Sequence, residues 1–426
     1  MKRSRSANDD GSLTDGDREV AEALEHELDR QRHGLEMIAS ENFVSRAVLE
    51  ALGSVATNKY SEGYPGNRYY GGCSVIDGIE RLAIERAKKL FGAEHVNVQP
   101  LSGAPANVAV YSALLQPGDT VLGMDLSHGG HLTHGHPVTW MSKLFRFERY
   151  KTDPATGLID FDQVRTLAKE HRPKLILVGY SAYTREIDYA QFKAIADEVG
   201  ALTMADVAHI AGLIAAGVMQ NPTPLFDVIT TTTHKTLRGP RGGMILCKKT
   251  HAKAIDKAVF PGFQGGPHEN NIAAKAVAFK EALEPSFKTY AQQVLKNAKV
   301  LEKAFADADI TICFKQTDNH MLLLDMTSIG LTGKQVSELL DSVGITVNKN
   351  MVPDDPRKPM DPSGIRIGTP ALTTRDFDEK DMVRVGEMIV ALLKSPDDTA
   401  VAEHARATVR ELTDAHPLYP DLTYLP

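Results

Sequence analysis

The stretch Val228-Ile-Thr-Thr-Thr-Thr-His234-Lys235-Thr-Leu-Arg238-Gly-Pro-Arg241-Gly-Gly243 decides how this chain is read. Its opening run is β-branched from Val228 to Thr233, the composition of a strand covered on both faces. Lys235 then falls at the strand's end, ahead of a Gly-Pro-Arg-Gly-Gly turn. With Arg238, Arg241 and His234 close by, neighbouring cations are expected to lower the lysine's pKa and favour the free amine that imine formation needs. A solvated loop lysine is the commoner fate of a lone Lys, and the crowded threonines and the glycine turn count against it here.

Outward from this segment, short apolar runs at Val96–Gln99, Thr120–Met124, Leu175–Val178, Leu202–Met204 and Met244–Cys247 are mostly separated by helix-length segments. That alternation predicts an α/β fold with a largely parallel sheet. Such sheets bind ligands at the carboxyl ends of their strands. There the chemically able residues gather: Ser102 and Gly103 after one strand, Ser181 after another, Asp206 and His209 after a third, and His234 and Lys235 after a fourth.

Each candidate has a bland reading beside the chemical one. Asp206 suits an acid partner for a ring nitrogen, and equally a cap for a helix starting at Val207. The Ser102-Gly103 step followed by Pro105 offers backbone N–H groups to a phosphate. Phe260-Pro-Gly-Phe-Gln-Gly265-Gly266 is either a second glycine cup or a flexible loop. His128-Gly-Gly-His131-Leu-Thr-His134-Gly-His136 has the count of a metal site, but the glycines argue against a helix aligning the rings and no carboxylate or thiolate is interleaved; an imidazole stacked on a flat cofactor is the better use. Arg366, between small residues, fits bidentate capture of an α-carboxylate. Tyr60, Glu62, Tyr64, Tyr69 and Tyr70 form an aromatic loop whose single carboxylate can shuttle a proton or simply pack.

The chain has 426 residues, 42% hydrophobic and 24% charged, so two packed domains are expected. Residues 1–16 read as a disordered leader, 17–50 as an amphipathic arm carrying Val20, Leu24 and Leu28, 51–290 as the large domain, and 291–426 as a smaller C-terminal α/β domain with strands at Met321–Asp325 and Ile345–Asn348. Asn270 to Phe305 reads as one long helical stretch. Forty-eight basic against fifty-five acidic residues give a net charge of −7 with no basic run longer than Lys2-Arg3, which lends no support to a nucleic-acid role. Cys73, Cys247 and Cys313 lack a C-x-x-C spacing, so no metal site is expected. With no apolar span or h-region, the chain reads as cytoplasmic, away from membranes.

In order, Ile38-Ala-Ser-Glu-Asn42, Asn58-Lys-Tyr-Ser-Glu-Gly-Tyr-Pro-Gly66, Arg68-Tyr-Tyr-Gly-Gly72, His128-Gly-Gly-His-Leu-Thr-His-Gly135, Thr230-Thr-Thr-Thr-His-Lys-Thr236 and Gly239-Pro-Arg-Gly-Gly243 resemble the serine hydroxymethyltransferase family, from about Leu28 onward. The resemblance implies an aspartate-aminotransferase-like fold of type I. It also implies pyridoxal phosphate on Lys235, with Asp206 at the ring nitrogen, His131 stacked on the ring, His209 at its oxygen, Ser181 and Thr232 lining it, and Ser102 and Gly103 on the phosphate. Tyr60 and Gly266 would join the phosphate across a homodimer interface, and Glu62 and Tyr70 of the partner copy would handle protons. Ser40 and Arg366 would take the carboxylate of serine or glycine, and tetrahydrofolate would lie against Leu126, Leu132 and Asn350. His234, beside the lysine, joins the catalytic candidates. Ala104, His136, Trp140 and Met360 depart from the family pattern and bear on folate affinity rather than on the lysine chemistry. A lyase of the same fold, acting on α-methylserine or cleaving other 3-hydroxy amino acids, shares nearly all of these residues. A non-catalytic paralogue would be expected to lose Lys235 or Asp206.

Overall fold

The computed structural model of the chain describes residues 11–425. Its large sheet holds β1 (His95–Asn97), β2 (Thr120–Met124), β3 (Arg146–Tyr150), β4 (Leu175–Gly179), β5 (Leu202–Asp206), β6 (Val228–Thr232) and β7 (Gly243–Cys247). In space the order is β1-β7-β6-β5-β4-β2-β3, and only β7 runs against its neighbours. Both faces are covered, which is why the central strands read as unbroken apolar or β-branched runs. Leu175 and Leu177 of β4 point into one layer with Met204 and Val228, while Ile176 and Val178 point into the other with Ala205 and Ile229. The sequence reading missed β3, Arg146-Phe-Glu-Arg-Tyr150. It is an edge strand paired only with β2, and its charges break the apolar pattern.

Two helices between the strands start on side-chain caps. Asp160 accepts from Gln163 N at 2.9 Å and Asp188 from Gln191 N at 3.1 Å, opening Phe161–His171 and Tyr189–Val199. Asp206 caps nothing at Val207: the next helix is Ala211–Ala215. The helical stretch from Asn270 is two helices, Glu269–Ala282 and Pro285–Asp307, because Pro285 can start a helix but cannot continue one. The second of these runs through the position expected to divide the domains, residues 290 and 291.

The second sheet is antiparallel, ordered Thr311–Ile312, Met321–Asp325, Gly364–Gly368, Asn348–Asn350. The strand expected at Ile345–Asn348 divides in two. Asn348–Asn350 joins this sheet, and Ile345–Thr346 pairs in parallel with Leu35–Glu36 of the arm. Leu35 and Met37 are buried in the same core as Leu322, Leu324, Ile365 and Ile367. The arm helix, Arg18–His33, begins at its Asp17 cap and ends at Gly34. Of the leader expected to be disordered, residues 1–10 lie outside the described residues. The rest is ordered instead: Ser12 caps a helical turn, Leu13–Gly16, and Thr14 Oγ1 donates to the Tyr424 carbonyl at 2.9 Å. Among the described residues no helix is long and apolar enough to cross a membrane.

One buried cation ties the strands together where the glycine turn meets the Ser102 loop. Lys275 is 1% exposed, and its Nζ donates to the carbonyls of Val98 at 2.7 Å, Gly243 at 2.9 Å and Pro100 at 3.2 Å. Burial pushes its pKa down to about 7, but three converging acceptors are satisfied together only by an ammonium. Lys275→Met would leave those carbonyls unpaired and should cost about 3 kcal/mol. A thermal melt that keeps the wild-type midpoint would contradict this account.

Candidate active site

Four strand ends and one strand of the smaller sheet converge on a single cavity of about 350 Å³. Ser102 and Gly103 follow β1, Ser181 follows β4, Asp206 ends β5 with His209 beyond it, and Thr232, His234 and Lys235 close β6. Arg366 enters from Gly364–Gly368, while Ser40 comes from the arm and His131 from the loop after β2. Every one of these predicted residues lines the cavity.

Lys235 is held by its backbone. Asn42 Nδ2 donates to the Lys235 carbonyl at 2.9 Å and to Tyr290 Oη at 2.8 Å, and the next residue, Thr236, donates through Oγ1 to the His209 carbonyl at 2.8 Å. The amine's pKa is lowered to about 7, first by burial; Asp206 opposes the shift, and Arg366 and Arg241 add to it. Of the neighbouring cations expected to lower it, Arg241 does so, behind burial and Arg366. Arg238 turns away at a positive φ of 61° and lies 4.7 Å from the Tyr290 ring. His234, pushed to about 3 by burial and then by Arg241, is neutral, with its buried Nδ1 unpartnered.

The exposed Glu41 also lines the cavity, whose buried carboxylate is Asp206. Its Oδ2 accepts from Asn107 Nδ2 at 2.8 Å and pairs with His134 Nε2 at 3.1 Å, and its Oδ1 accepts from Ala208 N at 3.1 Å. Burial works to raise its pKa, but the hydrogen bond from His134, the electrostatic pull of the His134 and His131 rings, and Asn107 hold it well below the usual carboxylate range. His131 is pushed down to about 4, first by burial and then by His134, and so is neutral. His131, His134 and Asp206 bring one ligand atom each within 4.8 Å, yet the Asp206 oxygens are already taken by Asn107, His134 and the Ala208 amide.

Arg366 is buried with neutral partners. Its Nη1 donates to the Ser181 carbonyl at 2.6 Å, Nε to Asn348 Oδ1 at 3.0 Å and Nη2 to Ser40 Oγ at 3.3 Å. Burial lowers its pKa to about 10, a measure of the cost of holding a guanidinium there without an anion.

These residues fit the expected cofactor. Gly103 starts the helix Gly103–Leu114, and the Ser102 side chain makes no capping hydrogen bond, so the first amides face the cavity end free for an anion. A Cβ at Gly103 would meet Thr232 Cγ2 at 2.9 Å, which keeps that cradle bare. Asp206 is ionised to pair with a protonated ring nitrogen, and Lys235 has an accessible free amine.

Other predicted residues lie outside this cavity. Tyr60, Glu62, Tyr70 and Gly266 make a separate cluster in which the two tyrosines are exposed: Tyr60 Oη donates to Glu62 Oε1 at 3.2 Å, the Tyr60 and Tyr70 rings are 5.0 Å apart, and Gly266 abuts the Tyr60 ring. Leu126 lines an adjoining cavity of about 250 Å³, also bordered by His131, His136, Arg149, Met351 and Pro359. Leu132 and Asn350 line neither cavity: Leu132 is exposed and Asn350 Nδ2 donates to the Met351 carbonyl at 2.7 Å. Asn107 and Asn42 were missed as site residues. An Asn on the otherwise apolar helix Gly103–Leu114 was the available signal for the first.

The lowered lysine pKa can be read directly. Reductive methylation of Lys235 by formaldehyde, followed by peptide mass spectrometry, should rise half-maximally near pH 7, because the amine is free above its pKa of about 7. A midpoint near the ordinary lysine value of about 10.4 would contradict the burial argument.

The family model described as serine hydroxymethyltransferase matches residues 13–389 of the 426, and the chain therefore belongs to the serine hydroxymethyltransferase family, pyridoxal-phosphate-dependent transferases of fold type I.

Proposed function

We propose that this enzyme interconverts L-serine and tetrahydrofolate with glycine and 5,10-methylenetetrahydrofolate, as a cytoplasmic homodimer with shared active sites. The observation that carries the reading is Arg366, a buried guanidinium with no carboxylate among its partners, in the same cavity as Lys235. A substrate carboxylate would supply the missing anion, with Ser40 alongside as a second donor. This places the amino acid's α-carbon next to the lysine amine.

Bound pyridoxal phosphate supplies the electron sink for breaking a bond at that carbon. The ionised Asp206, fixed by Asn107 and His134, keeps a proton on the ring nitrogen of its partner. Ser102 and the Gly103 amide would hold phosphate, Thr232 and Ser181 would line the ring, and neutral His131 would offer it a flat face. Lys235 returns as a free amine at neutral pH, and His234 beside it is an acceptor rather than a cation. Because His131 borders both cavities, the second, with Leu126, suits tetrahydrofolate beside the reacting carbon. Leu132 and Asn350 would have to move to contact it.

Tyr70 is exposed, Glu62 is partly so, and both lie outside their own chain's cavity, which supports their acting, with Tyr60 and Gly266, at the cavity of a second copy. Neither Lys235→Ala nor Glu62→Gln should turn over alone. Mixed after unfolding and refolding together, they should recover roughly a quarter of wild-type activity, because half the dimers then carry one intact site of two. Recovery of none would sink the shared site.

The reaction is tested by following serine to glycine with and without tetrahydrofolate. Turnover that requires folate supports the proposal. Cleavage of α-methylserine or other 3-hydroxy amino acids at rates above serine, with no folate requirement, would replace it with the lyase reading.

A further inference from the structure

Behind the cavity His209 meets a second histidine. His320 directly precedes Met321–Asp325, is fully buried, and its Nε2 lies 3.3 Å from His209 Nδ1. The ring planes are 22° apart and the centroids 5.4 Å apart, the spacing of rings that meet edge to edge through this hydrogen bond. The main chain around His320 is pinned: Thr369 N donates to the His320 carbonyl at 3.1 Å, and Asn319 Nδ2 donates to Tyr180 Oη and the Tyr183 carbonyl, each at 3.2 Å. His320 Nδ1 has no partner within normal hydrogen-bond limits among the described residues, and the nearby Ala39 backbone is the group that favours a proton on this ring.

Counting protons fixes the direction of the chain. Arg366 can only donate. Its Nη1 already donates to the Ser181 carbonyl and lies 3.4 Å from His209 Nε2, so that nitrogen is an acceptor. Burial drives His209 well below its ordinary pKa and His320 to about 3, so both rings are neutral and carry one proton each. The His209 proton therefore sits on Nδ1 and is donated to His320 Nε2. The opposite assignment would aim an N–H of His209 at an N–H of Arg366 in a buried site, where an unpaired donor is most costly.

We propose that His320 is a positioning residue: by accepting from His209 Nδ1 it keeps His209 Nε2 an acceptor toward Arg366, and so holds the guanidinium ready for a substrate carboxylate. The inference rests on the reading of Arg366 as the carboxylate receptor. His320 does not line the cavity and acts only through His209.

Histidine-selective isotope labelling of the full chain, with the His209 signals assigned by their loss in His209→Asn, reads the tautomer by NMR before any cofactor or substrate is added. Wild type and His320→Gln, whose amide oxygen still accepts, should show His209 protonated on Nδ1. His320→Phe should shift the proton to Nε2, and as holoenzyme it should bind glycine about tenfold more weakly, while His320→Gln stays near wild type. A wild-type His209 protonated on Nε2, or a folded His320→Phe protein that keeps the Nδ1 form, overturns the proposal. If His320→Phe does not fold, the wild-type spectrum still decides. Arg366→Ala separates the two readings: undiminished glycine binding there would remove the carboxylate receptor while leaving the tautomer result standing.

Discussion

The structure turns on two cationic groups, Lys235 and Arg366, buried in one cavity whose one buried carboxylate, Asp206, is already engaged. Its oxygens are hydrogen-bonded to Asn107, His134 and the Ala208 amide, while the exposed Arg241 and Glu41 also line the cavity with opposite charges. Desolvation makes such a cavity costly when empty and strongly attractive to anions. A phosphate and a carboxylate are the groups that the neighbouring donors, the Gly103 helix start and the Arg366 fork, are shaped to take.

The rest of the fold delivers these groups to one place. A parallel sheet sends the residues after β1, β4, β5 and β6 to the same edge, and Lys275 fastens the Val98, Pro100 and Gly243 carbonyls behind the phosphate-side loop. The smaller sheet contributes Arg366 from a central strand, flanked by Met321–Asp325 and Asn348–Asn350. The arm crosses between the two, pairing with Ile345–Thr346 at one point, donating Ser40 to Arg366 at another and buttressing Lys235 through Asn42. The cavity is therefore sensitive to how the smaller sheet sits on the larger one.

Much of this was legible in the sequence because the strong signals are local. A run such as Val228–Thr233 has one reasonable use, and the residues at strand ends could be located from the strands alone. What escaped was set by tertiary context. β3 is a charged edge strand whose pattern reads as loop. The break at Pro285 lay inside an otherwise continuous helical periodicity. The lysine's lowered pKa was only partly legible from sequence neighbours: Arg241 contributes, but burial is the larger cause, Arg238 faces Tyr290, and Arg366, far along the chain, is at the site. The His209–His320 contact joins residues more than a hundred positions apart, and only a lone polar Asn319-His320 step entering an apolar strand hinted at it.

The most direct test of the central claim, that one cavity binds the cofactor and the amino acid with folate in the cavity beside it, is the visible absorbance of purified holoenzyme as glycine and then tetrahydrofolate are added. The account predicts a cofactor band that is absent from Lys235→Ala, together with a strong long-wavelength band that grows only when both ligands are present. A protein that shows no cofactor band even with added pyridoxal phosphate, or whose spectrum ignores glycine, would contradict it.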